Sequence, residues 1–311
     1  MIRSLTSGVS GLRNHQVRMD VIANNIANVN TTAFKTGRVN FQEILSQNIR
    51  GTSASAIGVD SINPAQIGLG MSVQSIDMLF GQGALTTTYR VLDLAIDGNG
   101  FFRLGKYSDE GIIEYYYTRD GSFYVNSEGY LVNAAGLYVL GVGDPGGEGW
   151  LGEDDIANVI NGNYEVPQGP GERIRLFDPD AGDDGDIPNN LTTLRIDANG
   201  LIFVNGRTDR AALILIDNYG NPENLTRLGG NLYEVPLRDQ DAEPTPYNEG
   251  WGVPDSGGGQ GRLVSGALEM SNVDLSTEFA NMITTQRGFQ ANARVITVSD
   301  EMLHELINLK R

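Results

Sequence analysis

The sequence predicts an α+β protein: terminal α-helices that pair as a coiled coil, and a central, mainly antiparallel β domain. Three observations carry that expectation. Apolar residues at both ends recur every three and four positions. The stretch from about 85 to 265 alternates apolar and polar residues between turn signals. Glycine supplies 40 of 311 residues, a share that fits many turns.

The first element is helical because Ile2, Leu5, Val9, Leu12, Gln16, Met19, Ala23 and Ile26 alternate steps of three and four, the seam of a heptad. Val17, Val21 and Ile22 widen the apolar stripe enough for a second partner. The C-terminal segment repeats the pattern at Leu275, Phe279, Met282, Gln286, Phe289, Ala293, Ile296, Asp300, Leu303 and Ile307. Asp274 is the expected N-cap, and Lys310 and Arg311 suit the negative end of the helix dipole. Gln16 and Gln286 interrupt the seams, where a polar residue fixes register. Gly8, Gly11 and Gly288 each cost a helix about 1 kcal/mol relative to Ala, so both helices depend on packing. Two readings remain: a helical hairpin packed on its own domain, or oligomerisation through the chain ends.

Between the helices, residues 43–85 read as extended or irregular, with Glu43–Ile49 also compatible with a continued helix. Leu92–Ile96, the turn Asp97–Gly100 and Phe101–Leu104 read as strand, turn and strand. Tyr115–Thr118, Ser122–Val125 and Tyr130–Val132 are further strands between Gly-containing turns. Arg195–Asp197 and Leu201–Val204 form a hairpin about Ala198–Gly200, and Ala211–Ile216 reads as a buried strand. Gly, Pro and Asp dominate 142–190 and 238–262, an insertion and a long linker. The expected organisation is an N-terminal assembly helix (1–42), a connecting segment (43–85), an outer β domain (86–141 and 191–265), an acidic insertion (142–190) and a C-terminal assembly helix (266–311).

Charge is divided the same way. Residues 1–50 hold six basic side chains and two acids, whereas 144–186 hold twelve acids against Arg173 and Arg175. The whole chain carries −17, which argues against nucleic acid as a partner. A middle of one sign is best placed facing water, while nearly neutral ends can pack.

Catalytic and cofactor chemistry finds no footing. There is no Cys, and the two His are His15 and His304, so thiol catalysis and His- or Cys-rich metal sites are excluded. The run Asp178–Asp186 lacks the Gly and Glu of a calcium loop and reads as a solvated acidic loop. Gly257–Gly261 lacks the Lys-Ser/Thr of a phosphate loop and reads as a linker. No apolar run is long enough for a membrane span, and the start lacks a signal peptide's apolar core. The expectation is therefore no enzyme, no cofactor, no metal, no nucleic acid and no membrane insertion.

The run Asp20-Val21-Ile22-Ala23-Asn24-Asn25-Ile26-Ala27-Asn28-Val29-Asn30-Thr31-Thr32-Ala33-Phe34-Lys35 resembles the N-terminal signature of bacterial flagellar rod and hook proteins. Asn24, Asn25 and Asn28 are poor helix formers, so the block trades helix propensity for side-chain hydrogen bonds. Leu92–Phe102, Tyr117–Phe123, and Gly266–Leu275 with Gln286–Asn292 resemble the family's later motifs in the family's order. The resemblance covers about 1–141 and 191–311, not the acidic stretch between. It implies export without a cleaved signal, and assembly of a helical tubular homopolymer in the extracellular flagellum. Its implied neighbours are distal rod, hook-cap and hook–filament junction proteins and the export apparatus. The ending Ile307–Arg311 and the block Gly266–Leu275 resemble hook members, which transmit torque through a bendable tube, and the extra 142–190 insertion suits a hook outer domain; Asn48–Gly70 resembles the stiffening stretch of distal rod members. The hook is the first reading and the distal rod the alternative. Assembly is assigned to Leu5, Val9, Leu12, Met19, Ile26, Asn24, Asn25, Asn28, Leu275, Phe279, Met282, Phe289, Ile296 and Leu303.

Overall fold

A computed structural model describes residues 2–51, 63–108, 111–142, 151–162, 164, 171–177, 191–208, 211–235, 251–255 and 259–309. The elements begin with α1 (Ile2–Ala27), β1 (Thr36–Glu43), β2 (Ser46–Arg50), β3 (Ala65–Gly68), β4 (Met71–Leu79) and β5 (Leu85–Thr87). Next come β6 (Leu94–Asp97), β7 (Phe101–Ser108), β8 (Gly111–Thr118), β9 (Phe123–Val125), β10 (Leu131–Asn133) and β11 (Tyr138–Val142). Then follow α2 (Glu153–Ile160), β12 (Glu172–Arg173), β13 (Leu194–Ile196), β14 (Leu201–Val204), β15 (Ala212–Ile214) and β16 (Ile216–Asp217). The last are β17 (Thr226–Gly229), β18 (Leu232–Glu234), β19 (Trp251–Gly252), β20 (Arg262–Ser265), β21 (Ala267–Glu269) and α3 (Leu275–Leu309). The chain forms two units: 1–29, 35–79 and 273–311 make the first, and 30–34 with 80–272 the second. This is the α+β architecture that the sequence predicts.

In the first unit, α1 stops at Ala27 rather than near residue 42. The asparagines weaken its last turns, and beyond Lys35 the β-forming Val39 and Phe41 sit in a strand. β1 pairs antiparallel with β4 from Thr36↔Leu79 to Glu43↔Met71. Glu43–Ile49 does not continue a helix: it ends β1 and enters β2, which pairs with β3 in a ribbon exposed along nearly its whole length. At the other end, 266–311 is not helix throughout, since β21 precedes α3. Asp274 caps α3, accepting from the Ser276 N–H at 2.9 Å and the Thr277 hydroxyl at 2.7 Å. The Thr277 bond, then the Ser276 bond, holds its carboxyl below the usual range.

In the second unit, one antiparallel sheet runs β13-β14-β15-β11-β7-β8-β18-β17. The expected strands about Asp97–Gly100 both form, but they do not pair with each other. β6 pairs with β20, and β7 pairs with β8, β11 and β16. Gly98 and Gly100, at φ +121° and +133°, turn the chain away from a hairpin. A Cβ on Gly98 would lie 2.8 Å from the Gly261 Cα, so these backbones pass in contact. Gly261 also donates to the Asn99 carbonyl at 2.7 Å, so this end of the expected linker is packed, while Gly257 and Gly258 lie outside the described residues.

The hairpin of β13 and β14 forms as the sequence predicts. Ala211–Ile216 is buried throughout, and the period of two sends its side chains to both faces. Ile202, Val204, Ala212, Ile214 and Ile216 join Leu94, Phe102 and Leu104 in one cluster. Leu201, Phe203, Ala211, Leu213 and Leu215 join Leu151, Ile156 and Val159 in another. The second face is therefore covered by the acidic region itself. Ile156 and Val159 of α2 point inward, while Glu153, Asp154 and Asp155 stay exposed in its first turn. Burying each of those two side chains contributes about 1.5–3 kcal/mol. Ile174 and Leu176 enter the first cluster. The described residues of the expected insertion, 151–162 and 171–177, are thus not wholly solvated but supply part of the core. The Asp178–Asp186 run lies outside the described residues.

Two buried ion pairs tie the unit. Arg103 on β7 donates through Nε to Asp217 on β16 at 3.0 Å, both side chains fully buried. Arg119 meets Glu269 at 3.3 Å and donates to the Gly98 carbonyl at 2.8 Å. In the same motif, a Cβ on Gly121 would lie 1.7 Å from the Leu94 carbonyl oxygen, so only Gly fits. Residues 30–34 also dock here. Ala33 N–H donates to the Glu269 carbonyl at 2.8 Å, and Asn231 donates to the Thr32 carbonyl at 2.8 Å.

Candidate assembly interface

Among the described residues no cluster of His, Asp and Glu could hold a metal ion, and no helix is long and apolar enough to cross a membrane. The sequence-predicted functional surface is the helical unit, so its geometry decides what the chain can do.

α1 and α3 run antiparallel, and they meet through small and polar residues. A Cβ on Gly8 would lie 3.4 Å from Ile296 Cγ1, one on Gly11 2.6 Å from Asn292 Nδ2, and one on Gly288 2.9 Å from His15 Cε1. The glycines that weaken the helices are therefore where they approach most closely. Arg18 donates to Asn281 Oδ1 at 3.4 Å. The α1 face is Gly8, Gly11, His15, Arg18, Ile22 and Asn25, one residue before the expected seam throughout. On α3 the buried positions are Glu278, Thr285 and Ser299, again one residue off. The spacing of a seam was legible, but the apolar positions are not the ones that face inside the chain.

The expected assembly residues accordingly fall on the flanks. Leu5, Val9, Leu12, Met19 and Ile26 are half-buried, as are Met282, Phe289, Ile296 and Leu303, while Leu275 and Phe279 are exposed. Of these, Ile296 lies against α1 at Gly8. On α3, Val298, Met302, Leu306 and Leu309 form an exposed stripe among the described residues, and Leu309 is 82% exposed.

The three asparagines divide their work. Asn28 Nδ2 donates to the Asn24 carbonyl at 2.9 Å and to its side-chain oxygen at 2.8 Å, closing the last turn of α1. Asn25 is buried and donates to the Gly37 carbonyl at 2.9 Å, while its oxygen accepts the Gly37 N–H at 3.0 Å. It also hydrogen-bonds Glu278, so one side chain joins α1, β1 and α3.

Sequence reasoning missed Glu278, which is 7% exposed and has a buried Oε2 without a hydrogen-bond partner. It lines a cavity of about 230 Å³ with Arg18, Val21, Ile22, Thr36 and Asn281. Burial raises its pKa above the ordinary carboxylate value, against smaller opposing effects of Asn25 and Arg18. Burial, then Arg18, lowers that of His15. A carboxyl with a raised folded-state pKa loses stability as pH rises through that value. Replacing Glu278 by Gln is therefore expected to stabilise the helical unit at neutral pH. The gain should vanish below about pH 4.5, the ordinary Glu value at which the wild-type carboxyl is protonated in both states. Thermal melts of the two proteins across pH, followed by helical circular dichroism, measure this. A gain unchanged by acid would rule out the titration.

Residues 5–35 match the family described as flagella basal body rod protein, and 264–309 match flagellar basal body rod FlgEFG protein C-terminal. Residues 95–204 match the flagellar hook protein FlgE/F/G D1 domain. That match crosses 142–190, where the sequence resemblance did not extend. The flagellar basal-body rod protein FlgG of Bacillus subtilis is 39% identical over 311 residues, covering all of both chains. The flagellar hook protein FlgE of Borreliella burgdorferi is 30% identical over 455 aligned positions, and that of Treponema pallidum 28% over 478, again covering both chains in full.

Proposed function

Because the chain belongs to the family of flagellar basal-body rod and hook structural proteins, we propose that it is the distal rod subunit, polymerising into the drive shaft of the basal body. The observation that carries this reading is the 39% identity to a rod protein over the whole of both chains. The hook proteins of Borreliella burgdorferi and Treponema pallidum align with less identity, across 455 and 478 positions. The acidic region, one reason for expecting a hook, now carries no weight toward it, because it lies inside a match named for both kinds of protein and its Leu151, Ile156 and Val159 pack into the core. The stretch that resembles the rod's stiffening segment includes the exposed ribbon of β2 and β3. In this reading the chain leaves the cell without a cleaved signal, and its neighbours are further copies of itself, other rod proteins and the hook.

Electron microscopy of basal bodies from a deletion strain tests the assignment. A distal rod subunit leaves a shortened rod with no hook upon it. A complete rod lacking only the hook would instead establish the hook reading, which the hook-like ending Ile307–Arg311 favours.

A further inference from the structure

One side of α1 holds an open groove, lined by Leu5, Thr6, Val9, Ser10, Arg13, Asn14 and Met71. Its floor joins Leu5 and Val9, one turn apart on the helix, to Met71 at the start of β4. Asn14 donates to the Met71 carbonyl, and Ser10 Oγ accepts the Met71 N–H at 3.4 Å, so the wall is fixed. Arg13 stands exposed at one end.

The last turns of α3 carry an exposed apolar stripe. Met302, Leu306 and Leu309 lie on one face at helical spacing, and the exposed Glu301 and Glu305 flank them. Ser299, seven residues before Leu306 on the same face, is buried, whereas Met302, Leu306 and Leu309 are exposed, so the stripe prolongs the buried side of α3 into its uncovered last turns. Arg13, Glu301 and Glu305 make no ion pair among the described residues.

We propose that the stripe Met302, Leu306 and Leu309 of one copy docks in the Leu5–Val9–Met71 groove of a second copy, with Glu305 or Glu301 facing Arg13. The occupant is a second copy because groove and stripe carry opposite charge at the rim of matching apolar surfaces. Two different patches of one chain make a heterologous contact, and such a contact repeats into a ring or an open helix rather than closing a dimer. The inference rests on the polymer reading above and specifies which surfaces build it.

The test uses the purified full chain and sedimentation of its polymers. Arg13→Glu and Glu305→Arg each place like charges together, and each is expected to raise the critical concentration about fivefold at low salt. The double variant should return to within about twofold of wild type, since restoration reports direct coupling. Both positions are exposed on helices, and helical circular dichroism confirms that the variants fold. A second variant pairs Thr6→Cys with Leu309→Cys; the natural chain has no Cys, so every disulfide is assignable. Oxidised polymers should give a ladder of linked chains that neither single variant gives. Polymers that form at the wild-type concentration in both reversals, or that yield no ladder, overturn this contact and leave the polymer reading standing. A wild-type chain that stays monomeric at every concentration overturns both.

Discussion

Replacing Arg103 by Ala is expected to destabilise the β unit by about 3–5 kcal/mol, the largest effect of any single substitution considered for it. Arg103 and Asp217 are both fully buried and joined through Nε at 3.0 Å. Burial raises the pKa of Asp217, and the arginine opposes that shift. Tyr117 and Tyr219 close the surroundings, their rings edge to face at 5.0 Å. Burial pushes both hydroxyls above the ordinary tyrosine value, so both stay neutral beside Asp217. Without Arg103, the carboxylate must take up a proton or remain charged away from water. The loss should therefore shrink as pH falls, because a raised folded-state pKa makes protonation favour folding. Urea titrations at two pH values measure both effects. The double variant Arg103→Met with Asp217→Leu should lie within about 1 kcal/mol of wild type or above it, since it removes the desolvated charges together. A loss below about 1 kcal/mol in the single variant would mean that water reaches the pair.

Gly11→Leu is expected to separate α1 from α3 and to abolish assembly while the β unit stays folded. A Cβ at this position already falls 2.6 Å from Asn292 Nδ2 and 2.8 Å from its Cγ. Leucine adds atoms that no turn of the asparagine clears, and overpacking of this kind costs about 1–3 kcal/mol. Helices that depend on packing lose more than that local term when the contact opens. Gly11→Ala separates the causes. Its methyl needs only the Asn292 side chain to turn, and it gains about 1 kcal/mol of helix propensity, so it should remain near wild type. Sedimentation reports polymer, and near-ultraviolet circular dichroism reports the tyrosine-rich β unit. A leucine variant that still polymerises would show that the helices need not approach here.

Much of this was legible in the chain. The two helical ends, the hairpin of β13 and β14 and the buried run Ala211–Ile216 follow from period alone. The asparagine block was read as a source of side-chain hydrogen bonds, and Asn25, Asn24 and Asn28 make them. Three features escaped, each for a physical reason. The seam inside the chain is polar and glycine-rich, so a search for apolar spacing finds its neighbour one residue along. The cover on β14 and β15 comes from a region whose acidic composition hides two inward residues, Ile156 and Val159. The partner of β6 is β20, more than 160 residues away, and local alternation carries no record of distant pairing. Glu278 escaped because an acid at a helix start has an ordinary explanation in the dipole.

The docking of residues 30–34 bears on how the two ends of the chain find each other. Arg18 and Asn281 are 263 positions apart, and closing a flexible loop of that length costs about 5 kcal/mol in chain entropy. Ala33 N–H is bonded to the Glu269 carbonyl, and Asn272 N–H reaches the Phe34 carbonyl at 3.4 Å. Once the β unit has folded, the threads leading to α1 and α3 leave it side by side. The loop left to close then shrinks to roughly twenty-five residues, at about 3 kcal/mol. A contact that is among the most distant in sequence is thereby brought within reach of a short loop, and about 2 kcal/mol of its closure cost is met by the β unit.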